Sequence, residues 1–211
     1  MCIRDRKRAS FILGLCLLAF VLAVLGCAEA ESEGGGLSSR AIQTSTEAKE
    51  VAGLINNVCG EVQNKLPSQY QSSYNYTLTN QSYANSKGGS AAVNGTIDRK
   101  YSASSGSVTN SIDISITIQF TNWVWVTDSA DGFQQVLGTI TYDYSSYSST
   151  TPSGYYSSLS KKITGSGIQI DYRFLQKYYL KDTISLDVSD KSNNEYIVTG
   201  SLTGSKGSFS F

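Results

Sequence analysis

Residues 112 to 120 read Ile112, Ile114, Ile116, Ile118 and Phe120, separated by Asp113, Ser115, Thr117 and Gln119. A β-strand sends successive side chains to opposite faces, so this stretch has one face for a core and one for water, and no helix accommodates it. Ile168, Ile170, Tyr172 and Phe174 repeat the pattern, as do Ile184, Leu186 and Val188. Turn signals punctuate these runs at Lys87-Gly88-Gly89, Ser105-Gly106, Asp131-Gly132, Pro152-Ser153-Gly154 and Ser192-Asn193-Asn194. Serine, threonine, glycine and 14 tyrosines suit wetted sheets, and the chain holds only two prolines.

A weak repeat, aliphatic-x-Gly-Ser/Thr-aliphatic, occurs at Val93–Ile97, Val136–Ile140 and Val198–Leu202, with a looser copy at Ile163–Ile168. Its spacing is too irregular for a solenoid or propeller. Each copy reads as a strand with an interior glycine, where a close neighbour leaves no room for a side chain. One helix precedes the strands, over residues 44–66. Thr44 and Glu47 have capping-box spacing, and Val51, Leu54, Ile55, Val58, Cys59, Val62 and Leu66 form one apolar stripe before Pro67. The expected fold is mainly β with this N-terminal helix: an antiparallel meander of about eight strands, forming a curved sheet or partly open barrel with the helix packed on it. Residues 41–211 are read as one domain.

The first 26 residues have another character. Arg6, Lys7 and Arg8 precede an uncharged run from Phe11 to Leu25 of about 15 residues, shorter than the roughly 20 a spanning helix needs. Val24-Leu25-Gly26-Cys27 closes it. This quartet resembles the lipobox of bacterial lipoprotein precursors, which implies cleavage before Cys27 by a signal peptidase of type II and lipidation of that cysteine. Residues 27–40 then form a polar, glycine-rich tether. Ala28 is not the aspartate that retains lipoproteins in the inner membrane of enteric bacteria, so the expected location is the bacterial envelope, the outer membrane where the host has one. Met1-Cys2-Ile3-Arg4-Asp5 resembles the translation of a sequencing adapter and is set aside from the fold. Residues 75–211 are similar in texture to lipoproteins of environmental bacteria, a likeness that carries no functional residue.

Without the leader the chain has 13 basic and 16 acidic residues, a net charge of −3, which argues against a nucleic-acid partner. Cys2 and Cys16 lie in the first 26 residues and Cys27 is the expected lipid carrier, so Cys59 has no partner for a disulfide. Its place on the apolar stripe points to a buried, unreactive thiol. The chain contains no histidine, which removes Ser-His-Asp and Cys-His catalysis and the commonest transition-metal ligand. Asp113, Asp128, Asp131 and Asp143 are read as solvated strand and turn residues rather than a glycosidase pair. Ser160-Lys161-Lys162 lacks a supporting motif. Asp128-Ser-Ala-Asp-Gly132 lacks the downstream ligands of a calcium loop. Asn75, Asn80 and Asn94 head glycosylation-like triplets, read as ordinary strand and turn residues. No enzyme, metal or cofactor is expected.

Aromatic residues supply the binding candidates. Continuing the parity of Ile112–Phe120 turns Val124 and Val126 inward and places Trp123 and Trp125 outward, beside Asp113, as a platform for sugar rings or a partner, whereas a bulge near Asn122 would flip that parity and bury both rings. Tyr142, Tyr144, Tyr147, Tyr155 and Tyr156 lie near a serine-rich hairpin and either extend that platform, with Tyr142 and Tyr144 foremost, or form cross-strand pairs. Three functions compete: an envelope lipoprotein holding an apolar or amphipathic ligand between sheet and helix, an adhesin or glycan-binding module built on the exposed aromatics, and a structural surface lipoprotein with no small ligand.

Overall fold

A computed structural model describes residues 39–126, 133–174, 178–192 and 197–211. Cys27, the leader, Asp128, Asp131 and the turn at Asn193-Asn194 lie outside the described residues. The elements are β1 (Ser39–Arg40), α1 (Ser45–Gln63), β2 (Tyr74–Ala84), β3 (Ser90–Ser104), β4 (Ser107–Val126), β5 (Phe133–Thr151), β6 (Gly154–Phe174), β7 (Tyr178–Ser192), β8 (Ile197–Gly204) and β9 (Gly207–Ser210). Strands β2 to β9 form one open antiparallel meander in chain order, and β1 adds to β7 in parallel. The expected meander with one packed helix is what the chain forms. Ser39 and Arg40, the last two residues of the expected tether, pair with Tyr179 and Leu180 of β7.

Helix α1 begins where the capping residues place it. Thr44 is the N-cap, and its hydroxyl accepts from the Glu47 amide at 3.2 Å. The Glu47 carboxylate reaches back to the Gln43 amide at 2.9 Å and to the Arg40 guanidinium, so two otherwise orphaned backbone donors at the helix start are satisfied. At the other end Asn64 is the C-cap, and tightened turns carry the chain to buried Leu66. Every residue of the apolar stripe is buried against the inner face of the sheet. That face is built from Val93 and Ile97 of β3, Ile114 to Phe120 of β4, Val136, Ile140 and Tyr142 of β5, Ile163 to Ile170 of β6, Ile184 to Val188 of β7 and Leu202 of β8, in alternation. Each aliphatic side chain so placed contributes about 1.5–3 kcal/mol, and with no disulfide among the described residues this core is their main source of stability.

The interior glycines of the repeat sit where a neighbouring strand comes closest. A Cβ on Gly95 would stand 2.2 Å from the Ser115 carbonyl oxygen, and one on Gly200 would stand 2.1 Å from that of Asp187. Bulges interrupt the ladder between Leu78 and Gln81, Phe120 and Trp123, Leu137 and Ile140, and Gly165 and Ile168, and each bends and twists the strand that carries it.

Candidate functional site

The bulge in β4 decides the fate of the tryptophans. Asn122 takes φ 51°, a left-handed conformation that asparagine tolerates better than most residues. Parity is thereby reversed beyond Phe120, and Trp123 turns inward to 0 % exposure. Its ring meets Phe120 edge-on at 5.8 Å, and its indole N–H donates to Glu61 Oε2 of α1 at 3.1 Å. Trp125 is half-buried against the core, with the Lys87 ammonium 4.8 Å above its ring. Of the two readings of this stretch, the bulge near Asn122 is the one the chain adopts, and the outward platform of Trp123 and Trp125 is overturned. The β2–β3 turn holds the bulge in place: Val124 N donates to the Gly88 carbonyl, Asn85 Nδ2 donates to the Val124 carbonyl, and Gly89 packs where any side chain would strike Asn122.

Tyr142 and Tyr144 are corrected in the same way. Both keep the inward parity of β5; Tyr142 is fully buried and donates its hydroxyl to Gln63 Oε1, and Tyr144 stacks on it with ring centroids 6.4 Å apart. They help fasten the last turn of α1 to the sheet.

The exposed aromatics lie further along β5 and β6. Beyond Tyr144 the inward positions become Ser146, Ser148 and Thr150, so the tip of this hairpin has no apolar face to bury and meets water on both sides. Tyr147, Tyr156 and Tyr155 are 39 %, 59 % and 69 % exposed. By alternation Tyr147 and Tyr156 share the outer face, away from α1, with ring centroids 6.0 Å apart, and Tyr155 belongs to the opposite face.

Two residues back along the same outer face is a shallow depression of about 290 Å³, lined by Thr96, Asp98, Asp113, Ser115, Asp143 and Ser145 among others. Cross-strand register assembles it. Asp98 stands opposite Asp113, Asp113 opposite Ser145, and Ser115 opposite Asp143. Ser145 Oγ donates to Asp113 and Ser115 Oγ donates to Asp143, each at 2.6 Å. Like charges directly opposite destabilise a strand pair. Here Lys100, 3.6 Å from Asp98, and the serine donors offset part of that repulsion.

Among the described residues no group of His, Cys, Asp or Glu side chains is placed to hold a metal ion, and no helix is long and apolar enough to cross a membrane. Cys59 is fully buried, and desolvation pushes its thiol up to about 12 although Lys161 acts in the opposite sense. Asp113 was visible from the sequence as an outward residue and Asp143 as a solvated one; their union with Asp98 was not, because it depends on strand register. No family model, curated protein or solved structure matches this chain.

Proposed function

We propose that the chain is a lipid-anchored protein of the bacterial envelope, attached through Cys27, whose β domain is a non-catalytic glycan-binding module. One observation carries the binding reading: the outer face sets the Tyr147–Tyr156 pair beside a row of carboxylates and hydroxyls, with the Lys162 side chain opposite Asp143. Tyrosine rings offer flat apolar surface to the C–H face of a sugar, and each keeps a hydroxyl for hydrogen bonding. The neighbouring aspartates accept from sugar hydroxyls. Support for an apolar ligand between sheet and helix is weaker. The side chains that meet there are buried, and neither this depression nor the larger cavity at the other end of the outer face is lined by a residue of α1.

A glycan array that includes cell-wall fragments tests the reading. Tyr147→Ala/Tyr156→Ala should lose binding at least about tenfold with an unchanged circular dichroism spectrum, and Tyr155→Ala, on the opposite face, should retain it. Equal binding by the double variant and the parent protein overturns the proposal. The anchor is tested separately: Cys27→Ala should move the protein from the membrane fraction to the soluble fraction.

A further inference from the structure

The larger cavity, about 460 Å³, lies at the other end of the outer face and within the roughly 300–1,000 Å³ typical of small-molecule sites. Its floor is two cross-strand rows. Gln135 of β5, Asp171 of β6 and Lys181 of β7 form one; Leu137, Gln169 and Thr183 form the next. Bulges in β4 and β6 flank these rows, and Asn122, raised by its own bulge, stands at one side. Ser205 and Asp182 close the opposite side.

The two carboxylates here are not equivalent. Asp182 is spent on the fold: Ile42 N donates to Oδ2 at 3.2 Å, while Thr183 N and Ser205 N donate to Oδ1 at 2.8 and 3.2 Å. Asp171 Oδ1 is buried with no hydrogen-bond partner among the described residues, although Lys181 stands opposite in register. A buried carboxylate oxygen without a donor is costly, and such groups are uncommon enough in folded proteins to require an explanation.

We infer that this cavity is a second binding site, for a small hydroxylated molecule carrying a protonated primary amine, with the ammonium seated on Asp171. The bound ammonium supplies the donor that Asp171 Oδ1 lacks. Gln135, Gln169, Asn122 and Thr183 then supply donors and acceptors for hydroxyl groups around it, and Leu137 supplies one apolar contact. Neither tyrosine of the glycan-binding proposal touches this cavity, so the two proposals stand or fall independently.

Calorimetric titration of the purified protein with glucosamine, ethanolamine and glucose tests the inference. Glucosamine should bind, and glucose, the same ring without the amine, should bind at least about tenfold more weakly. Heat from ethanolamine as well would show that the ammonium of a lipid headgroup suffices; heat from glucosamine alone would show that the sugar hydroxyls are needed. Either result supports the site. Asp171→Asn should abolish the glucosamine signal with a Tm close to that of the parent, because Oδ1 makes no hydrogen bond that the fold would lose. A carboxylate needed only for folding would lower Tm instead. Leu137→Trp, which fills the floor, should also abolish binding. Equal binding of glucose and glucosamine, no response to either amine, or full retention by Asp171→Asn overturns the inference.

Discussion

Cys59 sits in the seam between α1 and the sheet, where burial pushes its thiol up to about 12 and leaves essentially no thiolate at neutral pH. A thiol reagent at pH 8 should therefore leave Cys59 of the native protein unlabelled and modify it only at the rate of unfolding. Prompt stoichiometric labelling would contradict the packing described. This residue was legible in the sequence because its position on a 3.6-residue stripe determines its neighbours. Trp123 was not. Its orientation depends on one residue, Asn122, adopting a left-handed conformation, and on Gly89 of a distant turn fitting beneath it. The break in alternation at Thr121-Asn122 was the only local sign. The tyrosines divide similarly. The lapse from inward apolar residues to serines after Tyr144 marks where burial ends, but the sequence names no partner for Tyr147 until strand register brings Tyr156 alongside.

At the scale of the element, the start of α1 depends on Glu47. Burial alone would raise its pKa; the Arg40 hydrogen bond, the Gln43 amide, the Arg40 charge and the Thr44 amide together outweigh it and hold the carboxyl below its ordinary value. A carboxylate with a lowered folded pKa stabilises the protein above its unfolded pKa, and that contribution is lost as pH falls through the lowered value. Glu47→Gln should thus cost about 1.5–3 kcal/mol at pH 7 in urea unfolding, and the difference from the parent should narrow in strongly acidic solution. A difference that is the same at both pH values would show that charge is not the source. The capping pair and both ends of the helix could be read locally, as could the hairpin turns at Gly88-Gly89, Ser105-Gly106 and Pro152-Gly154, because each rests on residues within a few positions. The repeat glycines could be recognised as sites of close approach, although the strand that approaches each is set by register alone.

For the molecule as a whole, Asp182 gathers three distant segments: the approach to the helix at Ile42, its own strand β7, and the β8–β9 turn at Ser205. Asp182→Ala leaves buried amides without an acceptor and should cost about 2–4 kcal/mol, with amide exchange at Ile42 and Ser205 rising ahead of that in the core of β4. Uniform exchange across the chain would show that these segments do not depend on it. The meander order was legible because each strand pairs with the next through a short turn. The two-residue β1 was not, since it pairs with β7 some 140 positions away. An open sheet also has two free borders. On β2 the ladder is broken between Leu78 and Gln81, where Asn80 takes φ 47° and its amide is bound by the Asn94 side chain. On the far side β9 offers only four residues. A broken border and a short one are poor templates for a strand from another molecule. Many copies can therefore be concentrated together without their sheets joining edge to edge into fibres.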